Sequence, residues 1–166
     1  MTAKECTDQL DWKKMGLVCL KSLGIEMRLP AIEQELPATT HEEAVQVLMK
    51  GFGFEGDEPE VVLQTPVGNI QVRRNSLPHI VEKRPHARER YVNHAMATLL
   101  NPFEVWEVAY DDGSYRYAFI GTFEERNMML VVAMITPERI LWNFMQSEAK
   151  SMNKHRRGAL VYSRHK

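Results

Sequence analysis

Apolar positions in this chain follow two rhythms, helical spacing in the first hundred residues and alternating or continuous runs after them. Trp12, Met15, Cys19 and Leu23 recur at steps of three and four, and Gly24 stands ready to stop the run, so a first helix is expected over residues 8–23. Residues 25–37 are irregular between Pro30 and Pro37, and read either as a separate adapter or as a cover on the main domain. Thr40-His41-Glu42-Glu43 has the form of a capping box, and Ala44, Val47 and Leu48 follow on one face. Gly51 to Phe54 closes this helix. Two β-rich runs, Val61 to Gln64 and Ile70 to Val72, flank Thr65-Pro66-Val67-Gly68-Asn69 and predict a hairpin.

Residues 87–100 carry the clearest helical stripe, formed by Tyr91, Val92, Ala95, Met96, Leu99 and Leu100, with Arg90, Asn93 and His94 off it. Asn101-Pro102 stops it. Val105 to Tyr110 then alternates, Asp111-Asp112-Gly113-Ser114 turns, and Tyr115 to Ile120 returns, which is a hairpin signature. Met128 to Ile135 is a continuous apolar run, expected as a central strand. Residues 137–151 are expected to be helical, with Ile140, Leu141, Phe144 and Met145 inward. A basic loop, residues 153–158, precedes a last strand at Ala159 to Tyr162. Helices followed by a mainly antiparallel sheet make an α+β domain. The expected division is an N-terminal helical extension, residues 1–37, and a main domain, residues 38–166.

Composition narrows the class. At 166 residues, 44% hydrophobic and 26% charged, the chain suits one well-cored domain. Two cysteines, Cys6 and Cys19, form neither a disulfide framework nor a zinc motif. No stretch reaches the roughly 18 apolar residues of a membrane span, and the start lacks the pattern of a signal peptide, so a cytoplasmic setting is expected. The net charge of −1 hides a division: residues 1–70 hold 12 acidic and 6 basic groups, residues 71–166 hold 10 acidic and 15 basic. The second half is therefore the expected polyanion-binding half.

Its chemistry is concentrated in residues 77–91. His79 and His86 exchange protons near neutral pH. Lys83, Arg84, Arg88 and Arg90 bring cations suited to phosphate, the arginines in bidentate fashion. Cations at a helix start oppose the helix dipole, and an anion to be bound is one reason for their presence. Glu104 and Glu107, on opposite faces of a strand, are expected to be solvated charges. No phosphate-binding glycine loop, metal-ligand spacing or nucleophile elbow is present. No metal or cofactor is expected.

Thr65-Pro66-Val67-Gly68, Leu77-Pro78-His79-Ile80 with Lys83-Arg84, Arg88 to Tyr91, and Asn101-Pro102-Phe103-Glu104-Val105-Trp106 together resemble the phage-type barnase–EndoU–colicin–RelE-like nuclease domains. Such domains occur in phage head-morphogenesis proteins, prophage polyvalent proteins and toxins. The likeness covers about residues 40–163. It implies helices followed by a four-stranded sheet, and a metal-independent RNase in which the RNA's own 2′-hydroxyl attacks the phosphate. By position, it implies that His79 is the general acid or base and that Arg88 or Arg90 clamps the phosphate. Tyr117 and Tyr162 would stack on a base or donate a hydrogen bond. The two basic clusters, with Lys83 and Arg84 in one and Arg156 and Arg157 in the other, are expected to hold the RNA backbone. Related domains often carry a threonine after the central strand, where this chain has Asn143 in Leu141-Trp142-Asn143-Phe144.

The implied partner is RNA, with tRNA as one candidate, besides an immunity protein or a phage structural protein. The implied place is a bacterial host's cytoplasm, reached with a virion or as a secreted toxin. Two rival readings stand beside it: a non-catalytic nucleic-acid-binding or virion-associated module of the same fold, and an ADP-ribosyltransferase. The last lacks a convincing Arg…Ser-Thr-Ser…Glu-x-Glu progression.

Overall fold

A computed structural model describes residues 3–82, 87–135 and 138–164. Its centre is a seven-stranded sheet in the order β1-β2-β6-β5-β4-β3-β7. The strands are β1 (Glu60–Thr65), β2 (Gly68–Arg73), β3 (Glu104–Ala109), β4 (Tyr115–Gly121), β5 (Asn127–Ile135), β6 (Arg139–Glu148) and β7 (Ala159–Ser163). All neighbours pair antiparallel except β2 and β6, which run parallel. The α+β class holds, but the sheet has seven strands where the resemblance implied four.

The difference lies in two places. The foreseen hairpin β1–β2 joins the main sheet through Gln71 opposite Ile140. In addition, the segment expected as a helix over 137–151 is the long strand β6, with only α4 (Ala149–Met152) helical. Its pairing explains the misreading. Val132 lies opposite Asn143 and Ala133 opposite Leu141, so Trp142 is an extra, bulged residue. Inserting one residue turns the strand's period of two into a spacing of three, and Leu141 and Phe144 enter the same core as they would on a helix.

Helices α1 (His41–Phe52), α2 (Leu77–Glu82) and α3 (Val92–Leu100) cover one face of the sheet. Thr40 caps α1, its Oγ1 accepting from Glu43 N at 3.1 Å. The Glu43 carboxylate reaches back to Thr39 rather than Thr40, accepting from its Oγ1 at 2.9 Å. The expected helix over 87–100 is divided: a tight 3₁₀ turn at Arg88–Tyr91 leads into α3. His94, read as lying off the stripe, is 3% exposed, its ring edge-on to Tyr91 and Phe123 and its Nε2 2.9 Å from Glu125 Oε1.

The other face is covered by the N-terminal residues, which are not the expected helix over 8–23. One turn forms at residues 11–16, ending at Gly16 with φ +73°, where glycine adopts the left-handed region without strain. Beyond it only Leu20–Ser22 and Ile25–Met27 are helical, as single 3₁₀ turns. Leu20 is fully buried, and Trp12, Leu17, Leu23 and Met27 pack beside Trp106, Ile120 and Met128. The fastening is a buried ion pair. Arg156 gives Nε to Glu104 Oε1 at 2.7 Å and Nη2 to Glu104 Oε2 at 2.9 Å, and its Nη1 donates to the carbonyl of Val18 at 2.8 Å. Glu104 is therefore no solvated strand charge. Among the described residues no helix is long and apolar enough to cross a membrane.

Candidate nucleic-acid site

Past Ile140, the outer edge of β6 faces the Arg88–Tyr91 turn rather than another strand. This places Arg88 on Asn143. The Arg88 Nη1 donates to Asn143 Oδ1 at 2.6 Å, and to the carbonyl of Ile80 at 3.4 Å. One guanidinium thus ties together the end of α2, the turn before α3 and the bulge in β6. Asn143 Oδ1 also accepts from Phe144 N at 2.9 Å, while its amide nitrogen makes no hydrogen bond among the described residues. Asn143 is 8% exposed. Ala87, Arg88, Tyr91, Phe144, Met145 and Gln146 line a pocket of about 130 Å³ beside this contact. The Arg88 guanidinium, anchored through Asn143 Oδ1, borders this pocket as a cation that can receive an anionic oxygen.

The other expected site residues divide. His79 stands on α2 one residue before Ile80, with its side chain 79% exposed and Nδ1 3.4 Å from Glu82 Oε2. It neighbours the Arg88 contact in sequence but turns to solvent. Arg90 donates to Gln34 Oε1 at 2.9 Å, and its guanidinium carbon lies 5.6 Å from the Tyr91 ring centroid. Lys83 and Arg84 lie outside the described residues. Arg156 is a correction: at 1% exposed and fully engaged by Glu104, it is beyond the reach of a phosphate. Arg157 binds the N-terminal segment, with Nη1 3.5 Å from Glu5 Oε2 and Nη2 donating to the carbonyl of Cys6.

Tyr117 is buried in the helix-side core against Phe119 and so offers no ring for stacking on a base. Tyr162 lies on β7, at the far side of β5, β4 and β3 from Asn143. The pocket walls Phe144 and Gln146 were missed because residues 137–151 read as a helix. A signal for the strand was present: two apolar runs flank Thr136-Pro137-Glu138, the punctuation of a hairpin. Among the described residues no group of three or more His, Cys, Asp or Glu side chains is arranged to hold a metal.

With this geometry in hand, residues 47–163 match the family model described as phage-Barnase-EndoU-ColicinE5/D-RelE like nuclease2. The chain belongs to that family. The match spans both halves of the Arg88–Asn143 contact as well as His79, and places the nuclease-like unit on the sheet and its helices. It leaves out the N-terminal segment that covers the opposite face. No curated protein and no solved structure matches the chain.

Proposed function

We propose that this nuclease-like domain is a metal-independent endoribonuclease of phage or prophage origin, cutting RNA, with tRNA one candidate, by attack of the 2′-hydroxyl on the adjacent phosphate. The P–O5′ bond breaks as the P–O2′ bond forms, leaving a 2′,3′-cyclic phosphate and a 5′-hydroxyl. One group must take the 2′-hydroxyl proton and another must protonate the leaving oxygen. His79 is assigned one of these proton transfers. Arg88 and the Asn143 amide receive the phosphoryl oxygens, on which charge grows in the transition state.

The observation that carries this reading is the 2.6 Å contact from Arg88 to Asn143 beside an open pocket, in a chain of a nuclease-like family. A second reading, a nucleic-acid-binding module of the same fold, draws on the outward turn of His79 and on the filled Oδ1 of Asn143. The two separate on substrates carrying a single 2′-deoxy residue. An RNA cut by this chemistry resists cleavage at that one linkage and is still bound. Equal cutting of the deoxy-substituted linkage removes the 2′-hydroxyl from the mechanism.

A further inference from the structure

The bulge at Trp142 has two sides. Asn143 meets Arg88 at the sheet edge and also borders a second cleft of about 230 Å³, at which Trp142 is 46% exposed. Glu5, Tyr110, Arg116, Trp142, Asn143 and His155 are among its walls. The floor is apolar, formed by Val108, Ala118, Leu130 and Val132. Arg116 is the centre of the arrangement. Its guanidinium carbon lies 4.2 Å from the Tyr110 ring centroid and 5.7 Å from that of Trp142, while its buried Nε has no hydrogen-bond partner among the described residues. A cation is thus held between two aromatic rings, one of them the half-exposed Trp142 indole.

We propose that this cleft binds one nucleotide of single-stranded RNA, its base stacked on Trp142 and its phosphate on Arg116. The proposal rests on the RNA-directed reading above and extends it to the form of the substrate. An exposed indole face is a platform for any unstacked base, and duplex bases cannot reach one. Arg116 is fixed by its rings, so little side-chain freedom is lost when it binds a phosphate. His155 adds a neutral ring: burial pushes its pKa below the usual range, Lys154 acts in the same sense and Glu5 opposes. The Glu5 carboxylate works against an anion, but Arg157 stands 3.5 Å from it and offsets part of its charge. Because residues 142 and 143 share one bulge, a strand crossing the β6 edge would meet both this cleft and the Arg88 contact.

The test measures fluorescence anisotropy of labelled 2′-O-methyl RNA, which cannot undergo 2′-hydroxyl attack, as a short single strand and as the duplex of that sequence. Variants are Trp142→Ala, Trp142→Phe and Arg116→Ala, each checked by thermal melting. Trp142→Ala should weaken the single strand by roughly fivefold to a hundredfold, the worth of one stacked base, with the duplex unchanged. Trp142→Phe should recover most of the loss. Arg116→Ala should also weaken the strand and lower the salt slope by about one phosphate contact.

Folded Trp142→Ala and Arg116→Ala proteins that bind the strand as wild type does would overturn the proposal. AMP binding that depends on Trp142, with strand binding independent of it, would likewise overturn the strand assignment and give the cleft to a free nucleotide. Since these strands cannot be cut, the result does not depend on cleavage. A protein that cleaves no RNA yet needs Trp142 for the single strand loses the nuclease reading and keeps this one.

Discussion

Arg156 and Glu104 face each other through two parallel hydrogen bonds inside the fold, the guanidinium 1% and the carboxylate 3% exposed. Trp106 Nε1 adds a third donor to Glu104 Oε1 at 3.0 Å, and Asn153 Oδ1 accepts from Arg156 Nη1. The pair joins β3 to the turn before β7 and, through the Val18 carbonyl, to the N-terminal segment.

Removing one partner leaves a buried charge without compensation. Arg156→Ala and Glu104→Ala should each cost about 3–5 kcal/mol in urea unfolding. Replacing both by apolar residues of similar volume should cost much less. Equal losses for the single and double variants would show that the sites contribute through packing alone.

Removal of residues 1–37 should not simply uncover a basic surface. It strips Leu20, Trp12 and Leu17 from the face of the sheet that carries Trp106 and Met128. The truncated protein should lose its cooperative thermal transition and bind a hydrophobic dye. A truncated protein that melts sharply at the wild-type temperature would refute this.

His155 makes stability fall on the acid side. Its folded pKa is lowered by burial, so the unfolded chain binds the proton more readily. The cost is absent above the unfolded value of about 6.5 and grows as pH falls below it. His155→Gln should therefore lose less stability than wild type between neutral pH and pH of about 5, measured by urea unfolding. Identical losses in the two proteins would show that His155 titrates alike folded and unfolded.

Much of this fold was legible in the sequence because local signals agreed with it. The Thr40 cap, the Asp-Gly turn between β3 and β4, and the apolar run of β5 all stand where their residues point. The bulge at Trp142 was not legible, because one extra residue gives a strand the spacing of a helix. Nor was the use of the arginines. The basic excess of the second half read as a polyanion surface, yet Arg156 is buried on Glu104, while Arg73 and Arg126 pair with Glu138 and Glu148 at the surface. Arg164 likewise donates to the carbonyls of Asn101 and Met27. A sequence gives the number of cations but not which of them face inward.

Arg88 and Asn143 were both expected at the site, and the fold brings them together. Asn143→Ala should lower RNA cleavage and also cost about 1–3 kcal/mol of stability, because a buried hydrogen bond to a charged group is lost. Arg88→Lys should not restore an Arg88→Ala loss, since an ammonium is a point charge and lacks the planar fork that holds a phosphate through two nitrogens. Full activity in Arg88→Lys, measured beside its melting temperature, would reduce Arg88 to a point charge.

The most direct test of the nuclease reading is single-turnover cleavage of RNA in the presence of EDTA, with the ends of the products analysed. Wild type should give 2′,3′-cyclic phosphate ends, and a folded His79→Ala protein should be slower by about 10²–10⁴-fold with RNA affinity retained. Wild-type protein that binds RNA and leaves it intact, or a His79→Ala protein that cuts at the wild-type rate, would contradict the account.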